Sequence, residues 1–193
     1  MLDAAYRLFC QHGIKAVGVD TIIAKSGVAK MTVYRHFASK DELVLEVLKR
    51  REALWTRKWL VEEVLARSDD PAERLLAIFD VFDGWFRRRS FEGCLFVNVL
   101  LEVDDRKHPT HRHSREQLAR IRHFIAGLAD DAGIDDPDGF SRQWHILMKG
   151  SIVSAGEGDV DAALRAKAIG RVLLGSVLPV TGPEQELLSL TAR

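Results

Sequence analysis

Apolar positions recur at helical spacing from the start of the chain. Leu2, Ala5, Tyr6 and Phe9 share one face, and Gly13 stops the run, which predicts an opening helix. Two short helical segments follow, 19–26 and 30–36, separated by the turn Ser26-Gly27-Val28. Ser39-Lys40-Asp41-Glu42 then has the form of a capping box. The serine hydroxyl accepts from the Glu42 amide, and the Glu42 carboxylate reaches back to the serine amide. The helix it opens is expected to run to about Arg67, with Leu43, Val44, Val47, Leu48, Trp55 and Trp59 among its apolar positions. Asp70-Pro71 pairs an N-cap with a proline where the missing donor costs nothing, and Leu75, Ile78, Phe79, Phe82, Trp85 and Phe86 continue as an amphipathic stripe. The run 91–103 is apolar on all sides and is assigned as a buried helix, because no second strand is present to pair with it. His108-Pro109 opens a helix to about Asp131 and Asp136-Pro137 the next, while Asp159 or Asp161 caps a last one that ends near Gly175. From Pro179, with Gly182-Pro183, a loop with one weak helical turn is expected.

The fold this predicts is all-α, with about nine helices and no repeat. An N-terminal three-helix unit over residues 1–45 precedes a helical bundle over 46–193, divided by function rather than by a linker. Hydrophobic residues make up 47% of the chain, enough for a substantial core. The 28 basic and 28 acidic residues balance, so any footprint for a polyanion must be local. Cys10 and Cys94 are far apart and form no metal or disulfide framework. The start MLDAAYRLF lacks the charge pattern of a signal peptide, and no apolar run reaches the roughly 18 residues of a membrane span. A cytoplasmic protein without metal or other cofactor is the expectation.

A local footprint does exist. Residues 19–40 read VDTIIAKSGVAKMTVYRHFASK, two helices of seven or eight residues about a glycine turn, the dimensions of a helix-turn-helix. Ile22, Ile23, Val28, Val33 and Phe37 are spaced to anchor both helices. The other positions of the second helix, Lys30, Met31, Thr32, Tyr34, Arg35 and His36, are the short, polar, aromatic or cationic types that a recognition helix presents to the major groove. Lys15, Lys25, Lys30, Arg35 and Lys40 oppose only Asp20 between residues 15 and 40, which concentrates positive charge where phosphates would lie.

These residues resemble the TetR (tetracycline-repressor) family: Gly13, Ile22, Gly27, Val28, then Thr32-x-Tyr34-x-His36-Phe37-x-Ser39-Lys40 and Leu43. Gly93-Cys94-x-Phe96-x-Asn98 is similar to a segment in one branch of the family's C-terminal domains. The resemblance implies that Lys30, Met31, Thr32 and Arg35 face bases, whereas Tyr34, His36 and Lys40 mainly contact phosphates. Departures from the pattern are Gly18 in place of a capping Thr or Ser, Ala29 where Ser is common, Asp20 near the DNA, and the absence of a basic arm before the first helix. Each weakens the expected affinity, so a weakly bound operator or a start codon further upstream follows.

Beyond residue 50 no basic cluster is interleaved with aromatics, which confines the expected DNA contact to the N-terminus. The aromatics of the bundle are mostly core, and some of them are expected to line an apolar effector cavity between helices. By the same resemblance that cavity lies among the middle helices, with Phe82, Trp85, Asn98, His145 and Met148 as the candidate contacts. His108, His111 and His113 form a second constellation, in which only the first two can converge; a solvated helix start is preferred over a metal site. Arg87-Arg88-Arg89 ends a helix and complements its dipole. In the last two helices Gly150, Ser151, Ser154, Ala155, Ala162, Ala166 and Gly170 alternate with Trp144, Leu147, Ile169 and Leu173, which suggests packing against a second copy. The function expected is a ligand-responsive regulator, a repressor before an activator, that binds operator DNA as a homodimer and is released by a small-molecule effector. The alternatives are a helical-bundle metal-binding protein or enzyme, and a dimer whose DNA-binding head has decayed. No Ser-His-Asp order, phosphate loop or Glu-x-x-His pair favours an enzyme.

Overall fold

Helix caps set where the elements begin. In the computed structural model, which describes residues 1–178, α1 spans Leu2–His12, α2 Val19–Ser26 and α3 Lys30–His36. α4 (Lys40–Arg51) continues without a break through a π-helical stretch, Glu52–Val61, into α5 (Glu62–Leu65), so the three form one rod. α6 (Pro71–Phe86), α7 (Leu95–Glu102), α8 (Pro109–Asp131), α9 (Pro137–Gly156) and α10 (Ala162–Gly175) complete the chain. Counting the rod once gives nine helices, with no strand among the described residues. The tail expected from Pro179 lies outside those residues.

The caps act through the chemistry the sequence suggests. The Glu42 amide donates to Ser39 Oγ at 3.2 Å, and Asp70 and Asp136 accept from the amides of Ala72 and Gly139. The Glu42 carboxylate reaches one residue further than expected, to the Ala38 amide at 2.7 Å. α10 also differs: Asp161 holds the cap position, but its carboxylate binds Arg87 at 2.8 Å instead of the helix amides. The run 91–103 is helical only from Leu95, because Gly93 at φ +73° turns the chain, and Leu101 is exposed rather than buried.

The long helix expected over 39–67 is a rod with a different interior. From Glu52 it widens to i→i+5 bonding, which brings position 57 over position 52, and Arg57 donates to Glu52 at 2.9 Å. The same buried carboxylate accepts from Arg120 of α8, tying the rod to the bundle.

α1, α2 and the start of α4 share a core of Phe9, Ile22, Leu43 and Val44, and Val33 of α3 is also buried. The bundle core is built on α6, α8, α9 and α10, with Leu75, Ile78, Phe79 and Trp144 fully buried. Gly170 of α10 lies directly on Trp144: a Cβ there would meet the indole Cη2 at 2.8 Å. Head and bundle touch where α7 meets α1 and where the 103–108 connection passes the head. Glu102 accepts from the Lys15 amide at 2.9 Å, Asp104 pairs with the Lys15 ammonium at 3.5 Å, and His108 Nε2 lies 3.2 Å from Asp41.

Candidate nucleic-acid interface and bundle cavities

The turn between α2 and α3 depends on Gly27, which adopts φ +67° and donates its amide to Ile23 O. That left-handed residue lets two short helices cross sharply while Ile22 and Val33 are both buried beneath them. With Val33 inside, the opposite face of α3 is directed at solvent. Met31 is 82% exposed and Tyr34 51%, Lys30, Arg35 and His36 are also exposed, and Thr32 is half-buried. An apolar side chain as exposed as Met31 gains nothing in the isolated protein.

The cations of this face are not equivalent. Lys30 Nζ lies 2.9 Å from Asp20 Oδ1 and 5.8 Å from the centre of the Tyr34 ring. The hydrogen bond and charge of Asp20 hold its ammonium pKa above the usual lysine value. Asp20 therefore neutralises Lys30 and orients it across the helix start. Lys40 Nζ bonds to Lys15 O at 3.4 Å, which turns it toward the loop before α2. Arg35 makes no ion pair among the described residues and is exposed. Gly18 occupies the cap of α2 with no side-chain bond, as its departure from the family pattern implied.

In the bundle, the five candidate effector contacts do not line one cavity. Phe82 and Trp85 belong to a packed aromatic cluster in which Trp85 lies 4.9 Å from Trp55 and 4.9 Å from Phe91 between ring centres. Met148 is buried in the core. Only Asn98 and His145 reach open cavities, and these are different ones. Asn98 lines a cavity of about 460 Å³ with Cys10, Cys94 and the end of α9. Burial drives the Cys10 thiol up to about 12 and raises Cys94 as well, so both stay protonated. His145 lines the larger cavity, about 810 Å³, bounded by α7, α8, α9 and the 103–108 connection. Lys149 is shared by both.

Apart from His145, the residues that wall the larger cavity were not among the expected contacts. Arg112, Arg115, Ala119 and Arg122 recur at i, i+3, i+7 and i+10, one helical face of small and basic residues. That periodicity is visible in the chain, but it carries no aromatic interleaving and so does not read as a nucleic-acid patch.

All three histidines separate, His108 and His111 included, although their spacing allowed those two to converge. His108 caps α8 and bonds to Thr110 and Asp41, His111 is buried, and His113 faces Glu52. No group of three or more His, Cys, Asp or Glu side chains suited to a metal occurs among the described residues. Arg87 pairs with Asp83 and Asp161, and Arg88 lies over the Trp59 ring at 5.2 Å, so the arginine run is engaged in the fold. The stripe of small residues also needs correction: Ser151, Ala162, Ala166, Gly170 and Trp144 are buried within the protomer. The apolar side chains left outside on α9 and α10 include Ile146, Val153, Ile169 and Val172. No helix among the described residues is long and apolar enough to cross a membrane.

Comparison with known proteins places both parts. Residues 1–47 match the family described as bacterial regulatory proteins, tetR family, and residues 71–168 match the tetracyclin repressor-like C-terminal domain. An HTH-type transcriptional regulator of Mycobacterium tuberculosis is 36% identical over 159 residues, covering 79% of this chain and 72% of its own. The HTH-type transcriptional regulator YjdC of Escherichia coli is 21% identical over 172 residues, 86% of this chain and 88% of its own. Among solved structures, a TetR-family transcriptional regulator from Streptomyces coelicolor superposes with a TM-score of 0.85 at 26% identity, covering 91% of this chain and 87% of that one. A putative TetR-type regulator from Streptomyces avermitilis superposes at 0.78 with 31% identity, covering 91% and 94%.

Proposed function

The chain belongs to the tetR family of bacterial regulatory proteins and is a DNA-binding transcriptional regulator, and from that premise we propose that it is a ligand-responsive repressor that holds operator DNA as a homodimer. The observation that carries this is the split of α3, with Val33 buried and Met31, Tyr34 and Arg35 exposed on one convex face. A face so composed fits a major groove. Lys30, Met31, Thr32 and Arg35 meet base edges there, while Tyr34, His36 and Lys40 meet phosphates on either side. We assign residues 1–45 to the DNA-binding head and 46–193 to effector binding and dimerisation; α4 crosses the division, so the two parts are joined by a rod.

A single head makes few contacts, and two fixed heads double the readout. The apolar side chains exposed on α9 and α10 support pairing through those helices. The effector enters among the bundle helices, where His145 supplies a polar group to the larger cavity and Asn98 to a separate one, while Phe82, Trp85 and Met148 remain in the packed core. Its binding is coupled to DNA through the contacts of Glu102, Asp104 and His108 with the head. Effector and operator then favour different arrangements of one dimer, and the coupling is reciprocal.

Selection of random duplexes on the immobilised protein tests the central activity and returns the operator at the same time. Anisotropy titrations with the selected duplex should show affinity falling steeply with salt. Arg35→Ala should weaken the selected duplex by about 1–3 kcal/mol and random DNA by less. Equal losses on both would remove base readout by Arg35, and failure to enrich any duplex would refute the proposal.

A further inference from the structure

We infer that the effector is an amphipathic organic anion held in the cationic cleft between α7, α8 and α9. The inference rests on the ligand-responsive reading above and adds the chemical class and the residues.

Charge is the first observation. Arg106, Lys107, Arg112, Arg115, Arg122 and Lys149 line the cleft against the single carboxylate of Glu116. The protein as a whole is neutral, so this is a local concentration. Several cations elsewhere are paired, Arg87 with two aspartates, Lys167 with Asp80 at 2.7 Å and Arg142 with Asp138 at 2.9 Å, whereas Arg35 makes no ion pair among the described residues. In the cleft only Arg112 approaches a carboxylate, Glu116 at 3.9 Å, and the other five make no ion pair among the described residues. Six like charges gathered on one concave surface raise the local potential, and an anion among them relieves the repulsion, most strongly beside the half-buried Arg122 and Lys149.

A buried polar atom without a partner is the second observation. His145 is 3% exposed, lies in the cleft wall, and its Nδ1 has no hydrogen-bond partner. Burial, reinforced by Lys149 and then Arg122, lowers its pKa to about 3, so the ring is neutral at ordinary pH. A neutral imidazole can donate from one nitrogen to an anion without carrying charge itself, and leaving that nitrogen unpaired is costly.

Size and floor are the third. At about 810 Å³ the cleft is far larger than an inorganic ion needs and matches small-molecule sites of roughly 300–1,000 Å³. Leu100, Leu118 and Ala119 supply an apolar floor. An acidic head among Arg122, Lys149 and His145 with an apolar body on that floor uses every part of the surface. Arg106 and Lys107 belong to the connection whose Asp104 and His108 hold the head, so an anion that draws them inward pulls on the contacts to Lys15 and Asp41.

The probe is 8-anilinonaphthalene-1-sulfonate, followed by its fluorescence, with the uncharged N-phenyl-1-naphthylamine as its partner without the acid. Arg122→Gln/Lys149→Gln should weaken the sulfonate by about tenfold or more, as loss of charge-assisted bonds requires, and leave the uncharged probe unchanged. Arg142→Gln/Arg165→Gln, the same change of charge outside the cleft, should shift neither by more than about twofold. Equal effects of the two pairs would overturn the inference. If the first pair does not give a folded circular dichroism spectrum, Arg115→Gln on the cleft rim provides the same comparison. Octanoate or octyl phosphate should displace the sulfonate, and the stronger of the two identifies the head group; displacement as good by octanol or by inorganic phosphate overturns the inference. The same ligands are added to the protein bound to its selected duplex. Sulfonate displacement without release of DNA would leave the anion site standing and refute its role as effector site, whereas failure of the duplex selection would refute the regulator reading alone.

Discussion

At the scale of the residue, Asp20 and Lys30 show how one carboxylate tunes a binding face. Asp20 sits beside a surface meant for phosphates, which its charge alone would oppose, yet it lies 2.9 Å from Lys30 and holds that ammonium across the start of α3. Asp20→Asn removes a negative charge and frees Lys30, which on random duplex, where no base contact is selected, falls against a phosphate instead of a base edge. Binding to random duplex should tighten several-fold at low salt, and the slope of log K against log salt should steepen by about 0.9 for the added phosphate contact. Anisotropy titrations at several salt concentrations measure both, and an unchanged slope would place Lys30 outside the phosphate contacts. Gly170 makes a different kind of residue-scale argument, because its side-chain position is already occupied by the Trp144 ring at 2.8 Å and by Phe79 Cε2 at 3.2 Å. Both rings are fully buried and packed against each other at 5.3 Å, so neither can swing aside. Gly170→Ala should cost about 1–3 kcal/mol by overpacking, read as a lower urea midpoint at unchanged m-value. No sequence pattern marks that glycine as an internal contact. Its small size is equally consistent with an interface between copies, and only the position of Trp144 decides.

At the scale of the element, the parts of the fold written into the sequence are those whose cause is local. Asp70-Pro71, Asp136-Pro137 and His108-Pro109 place three helix starts to the residue, since cap and proline act within one turn. The glycine turn between α2 and α3 and the exposed set on α3 are legible for the same reason: a short amphipathic helix over a fixed turn leaves one solution for which face is buried. The π-helical stretch at Glu52–Val61 is not legible, because its cause is tertiary. Glu52 is buried where Arg120 of α8 reaches it, and the wider turn lets Arg57 share the same carboxylate. α2 starts weakly. Gly18 caps it at φ −80° with no side-chain bond, and a Cβ there would meet nothing nearer than Thr21 Oγ1 at 3.9 Å. Gly18→Ser should therefore stabilise the head, adding a hydroxyl acceptor for an unpaired amide and removing glycine's freedom in the unfolded chain. The gain should be about 0.5–1 kcal/mol, visible as a Tm higher by about 1–4 °C in a thermal melt. A lower Tm would mean that the α2 start needs glycine for a close approach instead.

At the scale of the whole molecule, the proposed ligand site was less legible than the exposed face of α3 because it is assembled from distant segments. Aromatic residues suggested a cavity around Phe82 and Trp85, but those rings pack upon one another, and the larger cavity lies elsewhere, lined by arginines of α8. The exposed apolar residues of α9 and α10 bear on the remaining question of scale, whether the proposed dimer holds two heads through these helices. Ile146, Gly150 and Val153 follow one another at i, i+4 and i+7, and Ile169 and Val172 at i, i+3, so each helix presents an outward apolar face in addition to the one it buries in its own bundle. Val172 is 75% exposed and Ile146 65%, values that fit an interface core left uncovered in a single chain. Ile169→Glu/Val172→Glu places two carboxylates on that face without touching Trp144, Gly170 or the cations of the cleft. Light scattering on a sizing column should show a protein of half the mass, with helical content unchanged by circular dichroism. Binding to a duplex carrying two half-sites should fall at least about a hundredfold, while binding to a single half-site stays within about threefold, because the heads themselves are intact and only their linkage is lost. A double variant that remains a dimer would move the interface away from α9 and α10. Loss of binding to both duplexes alike would show that the heads depend on the pairing for their own fold.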